Sequence, residues 1–159
     1  TGRVGFSHWA SGVQAIWAQT AEGLRVLARP GDAAPSSPAG VYSGVNGDPY
    51  VTFNKSGVAG FVASVTAPGI PNFVALFNGQ PGSVDMAART RLNLSTQGFT
   101  SFGAPKFNNA GVFSLLASVS ENLATGLYTG DSDALTAVAS WSFSTGTQAP
   151  GFPVGVTYA

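Results

Sequence analysis

Residues 49–65 read PYVTFNKSGVAGFVASV, and residues 105–119 read PKFNNAGVFSLLASV. Aligned on their Asn-x-x-Gly motifs, the two stretches place Asn54 opposite Asn108, 54 residues later. In each copy a short segment with an aromatic residue runs into a turn, and an apolar segment follows the turn. Asn and Gly tolerate the positive φ angles that tight hairpins demand. The pattern therefore predicts two equivalent β-hairpins.

A third copy of this motif is divided between the two ends of the chain. Residues 153–159 (PVGVTYA) correspond to its first half, and residues 1–6 (TGRVGF) correspond to its second half. In this alignment Tyr158 takes the position of Phe53 and Phe107. We therefore expect the two ends to pair, either within one molecule or between molecules.

A second hairpin also occurs three times. Its first strand carries an aliphatic and an aromatic residue in each copy, and its second strand is apolar. The aliphatic and aromatic pairs are Ile16 and Trp17, Leu76 and Phe77, and Leu127 and Tyr128; the second strands cover residues 24–28, 84–88 and 135–139. Gly-, Pro- and Ser-rich segments at residues 30–49, 90–105 and 140–153 are expected to be connecting loops.

These hairpins predict an all-β fold with three four-stranded antiparallel repeat units, arranged like the blades of a β-propeller. We name the strands of a unit a, b, c and d. One repeat domain covers residues 1–159: unit 1 spans about 3–48 plus the C-terminal strand 154–159, unit 2 about 49–104, and unit 3 about 105–153. The repeated aromatic residues are expected to form core layers between units.

Composition agrees with one β-rich domain. Of the 159 residues, 44% are hydrophobic and only 9% are charged, and 21 Gly and 10 Pro indicate many turns. Seven basic and seven acidic side chains cancel, so the net charge points to no nucleic-acid partner. No apolar run approaches the length of a membrane span, and we expect no membrane insertion.

The chain order b-c-d, a-b-c-d, a-b-c-d, a leaves unit 1 without strand a and leaves one strand without a unit. The chain could close on itself, two chains could exchange strands in a six-bladed ring, or each chain could donate its strand to the next in a filament. Low charge and many small residues favour the filament. The expected assembly interface consists of Val4, Gly5 and Phe6 on one side and Val156, Thr157 and Tyr158 on the other.

The repeats resemble a family of bacterial secreted proteins built from tandem Asn-x-x-Gly repeats. The residues that carry the resemblance are FNKSGVAGFVA at 53–63 and LRVLARPGDAAP at 24–35. The resemblance implies an extracellular or surface-anchored β-repeat protein and brings no catalytic residues with it.

Chemistry-bearing residues are sparse, and we expect no enzyme activity, cofactor or metal. His8 is the only histidine, there is no Cys, and the acidic residues share no spacing. Asp131 and Asp133 could bind calcium, but a plain turn is the simpler interpretation. The sequence therefore predicts no catalytic, cofactor or metal site.

Two functions remain. The first is an extracellular structural subunit that self-assembles, as a filament or a ring, by complementation of its terminal strands; its partners are copies of itself. The alternative is a lectin-like carbohydrate-binding propeller that binds surface glycans through Trp9, Trp17 or Trp141. These three residues do not occupy one repeat position, which counts against a repeated sugar site.

Overall fold

The computed structural model describes residues 5–10, 13–35, 40–46, 50–90, 98–120, 125–130 and 135–141. In these ranges every regular element is a β-strand, and the strands form three sheets. The expectation of an all-β fold is confirmed. The described residues contain no helix that is long and apolar enough to span a membrane.

The first sheet has the order β1-β2-β3 and is antiparallel. Its strands are β1 (Gly5–Ala10), β2 (Val13–Thr20) and β3 (Gly23–Ala28). They correspond to strands b, c and d of unit 1. A bulge between Ile16 and Trp17 shifts the register of the β2–β3 pair, so that Trp17 pairs with Val26 and Ile16 with Ala28.

The middle sheet has six strands in the order β4-β5-β7-β8-β9, with β6 also paired to β7. Its strands are β4 (Ala33–Ala34), β5 (Gly40–Val45), β6 (Val51–Phe53), β7 (Ala59–Ala67), β8 (Ile70–Gln80) and β9 (Ser83–Arg89). Strands a and b of unit 2 pair as the Asn-x-x-Gly turn predicts, because Val51 is opposite Phe61 and Phe53 opposite Ala59.

The third sheet has five strands in the order β10-β12-β13-β14, with β11 also paired to β12. Its strands are β10 (Phe99–Phe102), β11 (Lys106–Phe107), β12 (Phe113–Val119), β13 (Thr125–Gly130) and β14 (Leu135–Trp141). The bulge of the first sheet recurs between Leu76 and Phe77 and between Leu127 and Tyr128. The predicted c–d hairpins are therefore present in all three sheets and share one irregularity.

The prediction that residues 30–49 and 90–105 are loops is wrong in part. β5 and β10 lie in these segments, and both pair with the C-terminal half of a b strand, while β6 and β11 pair with its N-terminal half. Strand a is therefore two strands in series, with the same bulge in each sheet, between Tyr42 and Gly44 and between Phe99 and Ser101. Among the described residues, the middle and third sheets accordingly contain six and five strands instead of four. The first sheet contains three, and its predicted fourth strand, residues 154–159, lies outside the described residues.

The core forms two layers, one on each face of the middle sheet. Phe61 and Phe77 stack at 5.3 Å in the layer shared with the first sheet, where Ile16 and Leu27 also lie. The layer shared with the third sheet contains the buried residues Val62, Leu76, Phe102, Phe113, Leu115, Ala117 and Tyr128. Because strand residues alternate between faces, Phe61 and Val62 serve opposite layers. The middle sheet is therefore covered on both faces.

Candidate assembly interface

Adjacent sheets contact each other through an aromatic ring that lies over a glycine. A Cβ built on Gly60 in β7 would lie 3.7 Å from Cδ2 of Phe107 in β11. At the register-equivalent glycine of the first sheet, Gly5, a built Cβ would overlap the ring of Phe53 in β6. The aromatic residue of each strand a thus packs on strand b of the preceding sheet, and glycine makes room for the ring.

The Asn-x-x-Gly turns of the middle and third sheets are hydrogen-bonded to each other. Nδ2 of Asn54 donates to the carbonyl oxygen of Asn108 at 3.4 Å, and the backbone N–H of Lys55 donates to Oδ1 of Asn109 at 3.1 Å. Both bonds join residues that are 54 positions apart. The turns therefore stack in the same order as the sheets.

Each turn is also closed from within by its asparagine. Oδ1 of Asn54 accepts the backbone N–H groups of Ser56 at 2.9 Å and Val58 at 3.0 Å. Oδ1 of Asn108 accepts the equivalent two N–H groups, at 2.9 and 3.0 Å. Gly57 and Gly111 have φ angles of 79° and 86°, which side chains other than Gly disfavour. These contacts explain why the motif requires Asn first and Gly last.

The outward face of the first sheet carries residues whose counterparts in the other sheets are in the core. We call this surface the front face and define it by Phe6, His8, Trp17 and Leu24. Phe6 is 38% exposed, whereas Phe61 and Leu115, at the same register position, are buried. The front face therefore has the composition of a buried layer, but Phe6, His8 and Leu24 are exposed and Trp17 is half-buried.

The outward face of the third sheet also carries residues whose counterparts in the other sheets are buried, but it corresponds to the opposite side of the sheet from the front face. We call it the back face and define it by Val112, Ser114, Leu116 and Val138. Leu116 is 49% exposed, whereas its counterpart Val62 is buried. Val138 is 56% exposed, whereas Leu27, at the same bulge position, is buried. Exposed contiguous apolar surface of this kind marks interaction sites.

A hollow of about 280 Å³ lies at one edge of the back face. It is lined by Lys106, Phe107, Asn108, Val112, Phe113, Ser114 and Thr129. Ser114 is opposite Lys106 in β11, as Gly60 is opposite Thr52 in β6. The hollow is thus the third-sheet counterpart of the place where Phe107 packs on the middle sheet.

The predicted interface residues are only partly within the described chain. Gly5 and Phe6 begin β1, which is an edge strand among the described residues, and Gly5 lies against Phe53. Val4, Val156, Thr157 and Tyr158 lie outside the described residues. Sequence reasoning missed Gly60, Ser114 and Asn109. The small residues Gly5, Gly60 and Ser114 at one repeat position were the signal that could have found this contact.

Residues with other chemistry do not converge. No group of three or more His, Asp or Glu side chains that could hold a metal occurs in the described ranges. His8 is exposed on the front face. Trp9 is 63% exposed, but the register-equivalent positions carry Ser64 and Ser118, so this aromatic does not repeat. The described geometry therefore gives no specific support to a repeated sugar site.

The main electrostatic feature is a buried tyrosine near an ion pair. Burial raises the pKa of Tyr42 well above its ordinary value, and the negative charge of Asp32 raises it further. Asp32 Oδ1 also accepts Nε of Arg29 at 2.9 Å, and the backbone carbonyl of Asp32 accepts the N–H of Tyr42. Tyr42 packs edge-on to Phe77 at 5.2 Å, so this group belongs to the core and not to a reactive cleft.

The described residues define an all-β protein of contacting antiparallel sheets, and its first and third sheets each carry exposed apolar residues. The chain belongs to the DUF7453 family, a family of unknown function, whose model matches residues 1–159. None of the curated proteins and none of the solved structures matches the chain.

Proposed function

We propose that this chain is an extracellular structural subunit, built from propeller-like repeat units, that self-assembles by repeating its internal sheet-to-sheet contact between molecules. The observation that carries the proposal is the match between the front and back faces. Each exposes one half of an interface that the chain forms twice internally. A front face placed on the back face of another copy would repeat that interface. Such a head-to-tail contact generates rings or filaments.

The terminal strands support the same proposal. In the middle and third sheets, strand b pairs with strand a along its N-terminal half. β1 is strand b of the first sheet and lies at the edge of that sheet in the part of the chain that the structure describes. Residues 156–158 have the pattern of strand a, and pairing them with Gly5 and Phe6 of a neighbouring copy would complete the sheet.

Apolar burial and strand pairing would both stabilise such a contact. Complete burial of a Phe or Leu side chain contributes about 1.5–3 kcal/mol. Each added backbone hydrogen bond contributes about 0.5–1.5 kcal/mol. Phe6, Leu24 and Leu116 are 38%, 52% and 49% exposed, so each would gain about half of the full burial energy, and the added strand pairing would contribute the rest. An extracellular location rests on the resemblance to secreted Asn-x-x-Gly repeat proteins.

The proposal is tested by introducing a charge on each face. Leu24→Lys blocks the front face and Leu116→Lys blocks the back face, because an ammonium group is strongly disfavoured in an apolar interface. Val41→Lys is the matched control, since Val41 is an exposed apolar residue of the middle sheet that belongs to neither face. Analytical ultracentrifugation over a concentration series and negative-stain imaging measure the assembly.

We expect the wild-type chain and Val41→Lys to assemble, and each blocked variant alone to be monomeric. A one-to-one mixture of the blocked variants retains one intact back face and one intact front face, so it should give heterodimers and nothing larger. Deleting residues 155–159 should also prevent assembly, and a peptide of residues 153–159 added to that variant should pair with β1. A wild-type chain that remains monomeric at every concentration, or a Val41→Lys variant that loses assembly as the blocked variants do, would contradict the proposal.

A further inference from the structure

We infer that the hollow beside Ser114 on the back face binds the aromatic ring of Tyr158 of the same chain. This inference rests on the proposed function and deepens it, because it names the site that would hold the donated strand in place. The argument uses three observations: the equivalent contacts in the other two sheets, the chain length between the partners, and the lining of the hollow.

The first observation is a contact that occurs twice. Phe53 packs on Gly5, and Phe107 packs on Gly60. The register places Ser114 at the third equivalent position, since Ser114 pairs with Thr129 as Gly60 pairs with Asn78. The hollow lies at Ser114. An aromatic ring over Ser114 would therefore complete the series.

The second observation is the length of chain between each small residue and its aromatic partner. Gly5 precedes Phe53 by 48 residues, and Gly60 precedes Phe107 by 47 residues. Ser114 precedes Tyr158 by 44 residues. Tyr158 ends the segment at residues 156–158, as Phe53 ends residues 51–53 and Phe107 ends residues 105–107. In both observed cases the ring comes from the same chain as the glycine. The 44-residue connection is close in length to the other two, so Tyr158 of the same chain can reach Ser114 in the same way.

The third observation is that two lining positions of the hollow are more polar than their counterparts in the middle sheet, where Asn78 takes the place of Thr129. Lys106 and Ser114 line it where Thr52 and Gly60 lie in the middle sheet. Thr129 also lines it, and its hydroxyl donates to the carbonyl oxygen of Phe113 at 3.1 Å while keeping acceptor capacity. Tyrosine has an apolar ring and a hydroxyl that can donate or accept. A tyrosine thus suits this hollow better than the phenylalanine of the other two contacts.

The consequence for assembly is a fixed position of the donated strand. With its ring held at Ser114, the strand at residues 156–158 would lie across the back face of its own chain. Its backbone edge would then be presented to β1 of the molecule that docks there. The strand would be ordered before the partner arrives, which lowers the entropy cost of association.

Disulfide trapping tests the contact, because the chain contains no cysteine. The test variant is Ser114→Cys with Tyr158→Cys. The positive control is Gly60→Cys with Phe107→Cys, which samples the equivalent contact of the middle sheet. The negative control is Ser114→Cys with Thr157→Cys, because neighbouring residues of a strand point to opposite faces. After mild oxidation, mass spectrometry distinguishes a disulfide within one chain from one between chains.

We expect the test pair to form an intrachain disulfide to the same extent as the positive control, and the negative control to form little. Disulfides only between chains, or none while the positive control reacts, would overturn the inference. Ultracentrifugation of the same samples separates this from the proposed function: assembly without the intrachain disulfide contradicts the inference alone. An intrachain disulfide in a chain that remains monomeric contradicts self-assembly alone.

Hydrogen exchange provides a second measurement that does not depend on disulfide geometry. Ser114→Arg fills the hollow at an edge of the sheet, and Val41→Arg is the control, since Val41 is an exposed residue of the middle sheet that lies outside the back face. We expect Ser114→Arg to raise the exchange rate of the amides at residues 154–158 about tenfold or more, since exchange follows the population of the released strand. Equal exchange rates in the wild type and Ser114→Arg would count against the inference.

Discussion

Nδ2 of Asn54 donates a hydrogen bond to the carbonyl oxygen of Asn108, the residue at the same position of the next repeat. The bond makes the two asparagines unequal although their turns are alike. Asn54 is only 6% exposed because the next turn covers it, whereas Asn108 is exposed. One repeat position therefore occurs in both a covered and an uncovered environment within one chain.

This difference predicts unequal costs for one substitution at the two positions. Asn54→Ala removes the acceptor of two backbone N–H groups and a donor to the next turn in a buried setting, and we expect a loss of about 2–4 kcal/mol in the free energy of unfolding. Asn108→Ala removes the same internal acceptor where water can replace it, and should cost about 1 kcal/mol. Urea denaturation of both variants measures the difference; equal losses would mean that the stacking of the turns contributes nothing.

The two glycines under aromatic rings also form a matched pair. Gly5→Ala would place its methyl group within the ring of Phe53, and overpacking of this kind costs about 1–3 kcal/mol. Gly60→Ala would place its methyl at ordinary contact distance, 3.6 Å from Thr52 and 3.7 Å from Phe107. It should be neutral or stabilise by up to about 1 kcal/mol. Thermal unfolding measures the stability of both variants, and Gly60→Ala should be the more stable. A Gly5→Ala variant that is more stable than Gly60→Ala would contradict this prediction.

Asn78 offers a stabilising substitution. Its Oδ1 is buried and has no hydrogen-bond partner among the described residues. Thr129 has the same register position in the third sheet and donates to a backbone carbonyl. Asn78→Thr removes the buried acceptor and allows the hydrogen bond that Thr129 makes, so stability should rise by about 1–2 kcal/mol. Asn78→Ala is the control, because it removes the acceptor without adding the hydroxyl; the threonine variant should be the more stable of the two.

Tyr42 predicts a loss of stability at alkaline pH. Its pKa is raised in the folded state, so the folded protein retains the phenolic proton at a pH where the unfolded chain has lost it. Its contribution to stability is constant below about pH 9 and falls by about 1.4 kcal/mol per pH unit above about pH 10. Urea denaturation between pH 8 and pH 11 should show a steeper fall for the wild type than for Tyr42→Phe. Parallel curves would show that Tyr42 is not the group responsible.

The hairpins could be predicted from the sequence because they depend on interactions between residues that are close together in the chain. The Asn-x-x-Gly turn has a steric reason that operates within five residues, and both a–b pairs with described turns form as expected. The paired apolar strands of the second hairpin likewise identified β2, β8 and β13. Their shared bulge was not predicted, because a bulge adds one residue to a strand without a distinct composition.

The contacts that were not predicted depend on tertiary structure. β5 and β10 are short and contain Gly, Ser and Thr, so composition assigns them to loops, and only pairing with the adjacent b strand makes them strands. The packing of Phe107 on Gly60 joins residues that are 47 positions apart and leaves no local pattern. Only the comparison of three small residues at one repeat position could have indicated it.

The connection between the two halves of strand a differs between repeats. Thr52 follows Val45 by seven residues, whereas the equivalent Lys106 follows Phe102 by only four. The two halves of strand a nevertheless pair with the same positions of strand b in both sheets. The connection between the two halves of strand a can therefore vary in length without changing how the strands pair. Among the described strands, the principal contacts between sheets join the first to the middle sheet and the middle to the third sheet, so a fourth unit could be inserted between the middle and third sheets by gene duplication or by design. The stability of the extended protein would then increase roughly in proportion to the number of interfaces, as it does in repeat proteins whose units contact only their neighbours.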